Sequence, residues 1–524
     1  MTQPSPPTFN LLDEPWIPVR TVSGEVREVS LSSALLDSAE YSALAETSPP
    51  NLVALHRLLL VVLHRALTLH HGPWKDADRA RWYREGLRAD PIRAYLEQWR
   101  DRFWLFHPEY PFMQVAALGD APETKEKKKP WTQIALDAAH GNTPLVFDHA
   151  VDDLPGEIPA ASACRRLLGT LQFTPGGLVK ALRSSDKAGA LANTAAVLPI
   201  GSNLCETIIL GLHRPSAIGI DDCPAWEKPP ATTATLRGTP TFSTGPNDRY
   251  TRISRAALLL PEESLGGNVR YIRFAVGVAL EEDANGPDPM ACCRFNKEGK
   301  PIRVSFTEGR SIWRELPALV PDPSGKFNLP PSILESATNV FDLLGKLDTP
   351  VQVLVAGLAS DQAKLLRWRA ELLHLPLTLL SDPDAAAELR HWMRFADDFY
   401  FRLRDLCAQM TAAAMPDPNH KDTKKRSRAI LDNGPTAAVF FSAAESGLPG
   451  LMQRIVTGDG DATQAFWMQT LKTAALRARE AACRTLGNSA AAVRAEARAY
   501  PRFRGLLQTL EPIETEQTAT EANA

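Results

Sequence analysis

Apolar and polar residues alternate in short segments through most of the chain and recur at helical spacing towards its C-terminus. Residues 270–278 read R-Y-I-R-F-A-V-G-V, and this period of two predicts a half-buried strand. Residues 252–260 and 351–355 show related strand patterns, whereas 51–69 and 363–374 have the spacing of helices. The mixture predicts a single large α+β region and not a series of β-α-β units.

After residue 381, alanine becomes dense while glycine and proline become rare. Asp382 or Asp384 is suited to cap a helix that begins near Ala385. Apolar side chains recur at helical spacing in four stretches, 385–415, 435–457, 462–486 and 489–510. Four successive helices are most simply packed as an antiparallel four-helix bundle.

These changes divide the 524 residues into four regions. A Pro- and Ser-rich N-terminus is expected to be disordered, and an α+β domain, the helical bundle and a flexible polar tail follow it. The predicted bounds of these regions are 1–8, 9–381, 382–510 and 511–524.

Near the start, residues 9–19 read F-N-L-L-D-E-P-W-I-P-V and predict one apolar strand edged by turn residues. Pro15 and Pro18 exclude a regular helix there. Trp16 and Ile17 are expected to anchor this strand in a core.

The net charge is −3, with 23% charged and 44% hydrophobic residues, as in an ordinary globular protein. Charge is nevertheless clustered in two basic runs, 125–129 and 421–428. Each run is either a solvated loop or a phosphate contact, since a local positive patch suffices for the latter.

The seven cysteines are scattered and contain no C-x-x-C pair, which is typical of reduced thiols and predicts a cytoplasmic protein. The richest apolar run, 52–69, is interrupted by charged and histidine side chains and therefore predicts a buried helix, not a membrane span. The polar N-terminus has no apolar signal-peptide core.

No motif of a known catalytic chemistry is present. The chain has no G-x-x-x-x-G-K-[ST], H-E-x-x-H or G-x-S-x-G. Cys292 and Cys293 are adjacent and lack a second pair at zinc spacing, so no structural metal is expected. The sequence favours neither an ATPase nor a metalloprotease and predicts no cofactor.

A series of short motifs resembles the CasA family, the large subunits of type I-E Cascade, the surveillance complex of CRISPR systems. The opening N-L-L-x-x-P-W-I-P-V is the most distinctive of them. The other motifs follow in the family's order at 108–114 (P-E-Y-P-F-M-Q), 142–149 (N-T-P-L-V-F-D-H), 224–227, 245–251 and 357–363 (G-L-A-S-D-Q-A). The resemblance covers nearly the entire chain.

The resemblance implies a non-catalytic subunit near the 5′ end of the guide RNA. Such a subunit reads the short PAM duplex, mostly through the minor groove, and wedges the DNA open so that an R-loop forms. It also offers a docking surface for a helicase-nuclease, and its C-terminal bundle contacts the small subunits and the displaced strand. The implied partners are the CRISPR guide RNA, target double-stranded DNA, the other Cascade subunits (small, backbone and 5′-handle-binding) and the helicase-nuclease.

Residues 173–177, F-T-P-G-G, predict a turn between helical segments. The resemblance implies that Gly176 and Gly177 approach the minor groove, where the missing Cβ lets the backbone come close to base edges. The alternative is a turn that needs glycine only for its backbone angles. Lys180 and Arg183 follow at helical spacing and would either meet phosphates or form an exposed helix face.

The resemblance implies a wedge role for Gln362, which is flanked by Asp361 and Ala363. A neutral amide enters a base stack without the desolvation cost of a charge. Asp361 would accept a hydrogen bond from a guanine amino group or cap a helix that begins here. Arg273 is the candidate for the family's basic PAM-reading strand residue.

The motif with Asn142, Phe147, Asp148 and His149 is implied to be a guide-RNA handle or assembly loop. Phe147 would stack on a base of the 5′ handle or anchor its own loop in a core. His149 would contact RNA phosphate or bond its own loop. Two other functions remain as alternatives: a nucleic-acid hydrolase or modifying enzyme with an unrecognised site, and a scaffold with no direct DNA role.

Overall fold

Two compact units make up the protein in the computed structural model. It describes residues 6–137, 154–177, 179–215, 222–262, 267–281, 288–361 and 364–511. One unit combines Met1–Glu308 with Asp322–Ser381, and the other combines Gly309–Pro321 with Asp382–Ala524. The first unit mixes helices and strands and the second is helical, so the predicted fold class is confirmed.

The strands of the first unit are short and form small antiparallel sheets. Those in the described residues are β1 (Thr8–Asn10), β2 (Ile17–Thr21), β3 (Val26–Val29), β4 (Tyr41–Leu44), β5 (Trp104–Phe106), β6 (Lys129–Pro130), β7 (Ala196–Ile200), β8 (Arg255–Pro261), β9 (Val269–Val276), β10 (Cys293–Phe295), β11 (Pro301–Arg303), β12 (Asn328–Leu329), β13 (Pro350–Asp361) and β14 (Lys364–Pro376). Their orders are β1-β5, β3-β2-β4, β6-β9-β8, β11-β10-β12 and β14-β13-β7.

The α-helices of the first unit in the described residues are α1 (Leu31–Leu36), α2 (Pro49–His71), α3 (Asp76–Glu85), α4 (Ala89–Gln98), α5 (Ala160–Phe173), α6 (Leu204–Gly211), α7 (Thr233–Arg237), α8 (Pro246–Tyr250), α9 (Ser332–Leu343) and α10 (Thr378–Ser381). The side chains of α2 are buried along most of its length, and this helix packs against α4, α5, α6 and α8. Among the described helices, α2 alone combines the length and apolar composition that a membrane span requires, and most of its apolar stretch is buried.

The opening segment is two strands of different sheets and not the single strand predicted for residues 9–19. Asn10 ends β1 because its side chain accepts from the amide of Leu12 at 3.0 Å and starts a turn. Trp16 and Ile17 are completely buried, and the Trp16 indole donates to the carbonyl of Leu11 at 2.9 Å. Their predicted role as core anchors is confirmed.

The strands predicted at 252–260, 270–278 and 351–355 are present as β8, β9 and part of β13. The helix predicted at 363–374 is wrong, since residues 364–374 form most of β14. Side chains of alternating exposure follow one another along the second half of β14, and β13 supplies a continuous antiparallel partner for it. Long-range pairing thus decides a segment whose local pattern is ambiguous.

The second unit has six α-helices in its described residues instead of the four predicted. They are α11 (Pro383–Ala413), α12 (Lys421–Asp432), α13 (Thr436–Glu445), α14 (Leu448–Thr457), α15 (Gly460–Leu486) and α16 (Ala490–Gln508). The predicted helix 435–457 is split into α13 and α14, because Pro449 near the start of α14 has no amide to continue the hydrogen-bond ladder. The basic run 421–428 lies in α12, so its interpretation as a loop is wrong.

Asp382 caps α11, since its side chain accepts from the amide of Asp384 at 2.8 Å. Residues 309–321 were expected in the α+β region, but they pack on α11 within the helical unit. One reason is the ion pair between Arg314 and Asp397 of α11, which measures 2.6 Å.

Candidate nucleic-acid interface

The glycine loop, residues 174–177, begins directly after α5. Its two glycines are needed for different reasons. Gly177 has φ of +86°, and a Cβ on it would meet no atom within 4 Å. Gly176 is packed closely instead, because its Cβ would lie 3.2 Å from the carbonyl oxygen of Asp186. Gly177 is exposed, and its amide donates to the same carbonyl at 3.1 Å. The backbone of Gly177 is thus open to a ligand, while Gly176 lets the loop pack closely against the backbone at Asp186.

A buried ion pair holds the glycine loop from beneath. The Arg255 guanidinium lies 2.8 Å from the Asp186 carboxylate and donates to the carbonyls of Pro175 and Lys187. Burial raises the pKa of Asp186 to about 6, although the nearby Arg255 and Arg183 act to lower it. The sequence analysis missed both Arg255 and Asp186, since only the fold brings them under the loop.

Lys180 and Arg183 do not lie on a helix, so the predicted turn between two helices is wrong in its second half. Lys180 is exposed. Arg183 is largely buried and donates to the carbonyls of Gly238 and Gly277, both at 3.0 Å. Lys180 is therefore available to a phosphate, whereas Arg183 holds neighbouring backbone.

The β13–β14 hairpin carries the segment with the wedge candidate. Asp361 and Lys364 are register partners at its described end, and the register shifts between Ala359 and Ser360. Gln362 and Ala363 lie outside the described residues. The proposed helix cap at Asp361 is wrong, because the residues that follow from Lys364 are a strand.

Trp368 of β14 connects the hairpin to two other segments. Its indole N–H donates to the carbonyl of Leu136 at 2.8 Å. Its ring meets Phe173, the last residue of α5, edge to face with centroids 5.5 Å apart. Trp368 thus contacts two segments outside the hairpin, one at the end of α5 and the other at Leu136. The sequence pattern predicted a helix around Trp368 and therefore did not indicate these two contacts.

The predicted guide-handle residues Asn142, Phe147, Asp148 and His149 lie outside the described residues, but both flanks of this segment are fixed. On one side, Asp137 forms an ion pair with Arg166 of α5. On the other, the carbonyl of Gly156 accepts from the indole of Trp131 at 3.0 Å. The ring of Trp131 in turn lies 5.1 Å from the Arg166 guanidinium. The flank at Asp137 therefore contacts α5 directly, and the flank at Gly156 is linked to it through Trp131.

Arg273 lies in β9, as the strand prediction required. Its side chain is half-buried over Gly119, and its Nε has no hydrogen-bond partner among the described residues. β6 pairs beside it through Lys129 and Ile272, and Lys128 lies 5.9 Å from the ring centroid of Tyr271. The basic run 125–129 thus reaches the same sheet.

A second positive surface lies in the helical unit on α12. Lys421, Lys424 and Arg428 follow one another at intervals of three and four residues, Lys425 is adjacent to Lys424, and all four are exposed. With Asn419 and Arg404 they line an open cleft of about 670 Å³. Arg404 is neutralised by Asp432 at 2.7 Å, whereas these four cations of the cleft have no ion-pair partner among the described residues. We call these four residues the α12 stripe.

No group of three or more His, Cys, Asp or Glu side chains in the described ranges is arranged to hold a metal ion.

Comparison with known proteins agrees with the motifs. The family model for the CRISPR-associated protein Cse1 matches residues 10–478. A CRISPR-associated protein CasA/Cse1 from Thermus thermophilus is 36% identical over 514 residues, which cover 96% of this chain and 98% of the relative. The solved structure of Thermus thermophilus CasA (Cse1) has a TM-score of 0.81 and 34% identity, covering 96% of this chain and 99% of that one.

A chain of a solved CRISPR RNA-guided surveillance complex has the same fold, with a TM-score of 0.74 at 22% identity. It covers 95% of this chain and 100% of its own length. The family model and the Thermus relative extend over nearly all of the described interface. The chain therefore belongs to the family of the CRISPR-associated protein Cse1.

Proposed function

We propose that this chain is the non-catalytic large subunit of a type I-E CRISPR RNA-guided surveillance complex. In that complex it reads the PAM of target double-stranded DNA and opens the duplex beside it. Membership of the Cse1 family supports this function, as does the fold that the chain shares with part of a surveillance complex.

The observation that carries the proposal is the junction at the end of α5. The glycine loop continues from α5, and Phe173 at its end contacts Trp368 of the β13–β14 hairpin. Reading a short duplex and splitting the adjacent base step require two elements at a fixed separation. A groove-facing loop and a hairpin that share one aromatic contact meet this requirement.

In this proposal the exposed backbone at Gly177 approaches the minor groove, and Gly176 keeps the loop close to its support. Lys180 meets a phosphate, because it is exposed and lies three residues after Gly177. Arg273 contributes a positive charge from β9. Arg183 has a supporting role, since two backbone carbonyls already occupy its guanidinium.

Gln362 is the wedge, with Asp361 and Ala363 beside it. Unstacking one base step costs a few kcal/mol in other proteins that kink DNA. A neutral amide at the end of a hairpin offsets part of this cost, since it replaces lost base hydrogen bonds without bringing a charge into the stack.

The remaining contacts follow from the same proposal. Asn142, Phe147, Asp148 and His149 bind the 5′ handle of the guide RNA. The helical unit contacts the small subunits and the displaced strand. The protein acts in the cytoplasm without a cofactor and offers a docking surface to the helicase-nuclease.

The net charge of −3 indicates that the isolated chain binds DNA weakly, because affinity comes largely from neutralised phosphates. Local basic groups gain effect when the rest of a complex holds the DNA nearby. We expect weak, salt-sensitive binding by the chain alone and PAM-dependent binding after assembly. PAM-selective nanomolar binding by the isolated chain at physiological salt would contradict this.

The decisive experiment measures R-loop formation by the assembled complex on a fully paired target and on one already unpaired beside the PAM. Gln362→Ala should slow opening of the paired target and affect the pre-opened target less, because the unstacking cost is absent there. Gln352→Ala, at an exposed position near the other end of β13, is the matched control and should affect neither target. Equal losses on both targets with Gln362→Ala would argue for a plain binding contact and against a wedge.

A further inference from the structure

The β13–β14 hairpin extends beyond the sheet that supports it. β7 pairs with β13 only from Gln352 to Ala356, whereas the pairing with β14 continues to Asp361. The distal part is therefore a two-stranded ribbon, and such ribbons are marginally stable by themselves. Other contacts must fix the direction in which this ribbon points.

Two of the contacts just beyond the last pair with β7 come from Gly357 and Trp368. Gly357 passes so close to the neighbouring backbone that a Cβ on it would be 2.5 Å from the carbonyl oxygen of Thr194. Trp368, opposite Leu358, makes the hydrogen bond to Leu136 and the ring contact with Phe173. Gly357 permits the close approach, but Trp368 makes directional contacts with two separate segments.

We propose that Trp368 is the positioning residue that sets the distal hairpin relative to the glycine loop, so that the wedge meets the base step next to the PAM. This inference rests on the proposed DNA-opening function. The indole N–H fixes the ring's rotation through Leu136, while the edge of the ring fixes its distance from the end of α5. Trp368 acts through the hairpin and needs no contact with DNA.

The geometry separates Trp368 from an ordinary packing residue. It is only partly buried, and its hydrogen-bond partner is 232 positions away in sequence. Phenylalanine at this position keeps an aromatic ring but loses the N–H and part of the indole's contact area. A control that makes the same replacement elsewhere in the unit is therefore needed to separate orientation from packing.

The matched control is Trp74→Phe in the same unit. Trp74 is buried, and its indole N–H donates to the hydroxyl of Thr68 at 3.1 Å. Both variants lose one indole hydrogen bond, but only the bond of Trp368 connects the hairpin to another segment. The assay compares R-loop rates of the assembled complexes on paired and pre-opened targets, with melting temperature measured alongside.

We expect Trp368→Phe to slow opening of the paired target by about fivefold, the order that one lost hydrogen bond supports, with the pre-opened target nearly unaffected. Trp74→Phe should leave the ratio of the two rates unchanged. In a Gln362→Ala background, Trp368→Phe should cause no further selective loss, since both act at the same step.

The outcomes distinguish this inference from the function on which it rests. If Gln362→Ala is selective for the paired target while Trp368→Phe behaves like Trp74→Phe, the positioning role is overturned and the wedge stands. If Gln362→Ala affects both targets equally, the wedge itself fails. Additive effects of the two substitutions would also overturn the positioning role.

Discussion

Arg255 and Asp186 form a 2.8 Å ion pair beneath the glycine loop, and solvent reaches 1% or less of either side chain. The pair does more than neutralise a buried carboxylate. Arg255 also donates to the carbonyls of Pro175 and Lys187, on the two chain segments that meet under Gly177. The conformation of the loop thus depends on a residue of β8 that is distant in sequence.

Arg255→Met should destabilise the protein by about 3 kcal/mol, because the buried Asp186 then keeps only the more distant Arg183 guanidinium, at 3.5 Å, as a counterion. The double variant Arg255→Met/Asp186→Leu should recover part of this loss, since no buried carboxylate remains. Urea unfolding of the three proteins measures the difference. A double variant no more stable than Arg255→Met would show that the backbone contacts dominate and not the ion pair.

Gly177 should tolerate a small side chain better than a charged one. Gly177→Ala should cost about 1–2 kcal/mol of stability for its left-handed backbone, since nothing obstructs the Cβ. Gly177→Asp should also impair R-loop formation on both paired and pre-opened targets, because it brings bulk and negative charge against the groove. Gly24→Asp is the control, since Gly24 has φ of +92° and equally open space. Equal DNA binding by the two aspartate variants would exclude the loop from the groove.

Phe147 should matter more for assembly on guide RNA than for folding. Stacking on a base is worth about 1–3 kcal/mol, whereas loss of a core Phe costs about 3–5 kcal/mol of stability. Phe147→Ala should therefore leave the melting temperature nearly unchanged and weaken incorporation into the complex. A large fall in melting temperature with normal incorporation would support the core interpretation.

Core residues and helix caps that depend only on neighbouring residues in the sequence were predicted correctly. Trp16 and Ile17 were recognisable as core residues, and Asp382 was recognisable as a cap, because apolar runs and capping residues act locally. The family resemblance then proposed Gly177 and Gln362 as site residues, and their roles stay predictions.

Elements that depend on distant partners were not predictable in this way. β14 resembled a helix because its apolar spacing is ambiguous without β13 beside it. The roles of Arg255 and Trp368 arise from contacts across 80 and 232 positions, which no spacing rule records. The candidate site was thus predictable as segments, but the side chains that hold those segments together were not.

A buried histidine pair should make stability depend on pH. His64 and His213 stack with ring centroids 4.0 Å apart, and burial lowers the pKa of His213 to about 3. The folded protein keeps this ring neutral, while the unfolded chain takes up a proton below about pH 6.5. Stability is therefore lost as the pH falls from about 6.5 towards 3.

His213→Phe should remove part of this acid sensitivity. Neither ring nitrogen of His213 has a hydrogen-bond partner among the described residues, so phenylalanine leaves nothing new unpaired. Between pH 7.5 and 5, the variant should lose about 2 kcal/mol less stability than the parent protein. Urea unfolding at both pH values provides the measurement, and an unchanged difference between them would contradict the effect.

The α12 stripe should contact the displaced single strand. Its four exposed cations lack ion-pair partners in the described residues, so bound phosphates would not compete with protein carboxylates. Lys424→Ala/Lys425→Ala should shorten R-loop lifetime and reduce the logarithmic salt dependence of binding by about 1.4, as expected for two lost contacts to a single strand.

The control for this prediction removes the same charge from another face of the helical unit. Arg477 and Arg484 are exposed on α15 and do not line the cleft beside α12. Arg477→Ala/Arg484→Ala should leave the salt dependence close to that of the parent complex, because a specific contact depends on position and not on total charge. If both double variants shift the salt dependence equally, only general charge is involved. If neither does, the stripe is a solvated helix face.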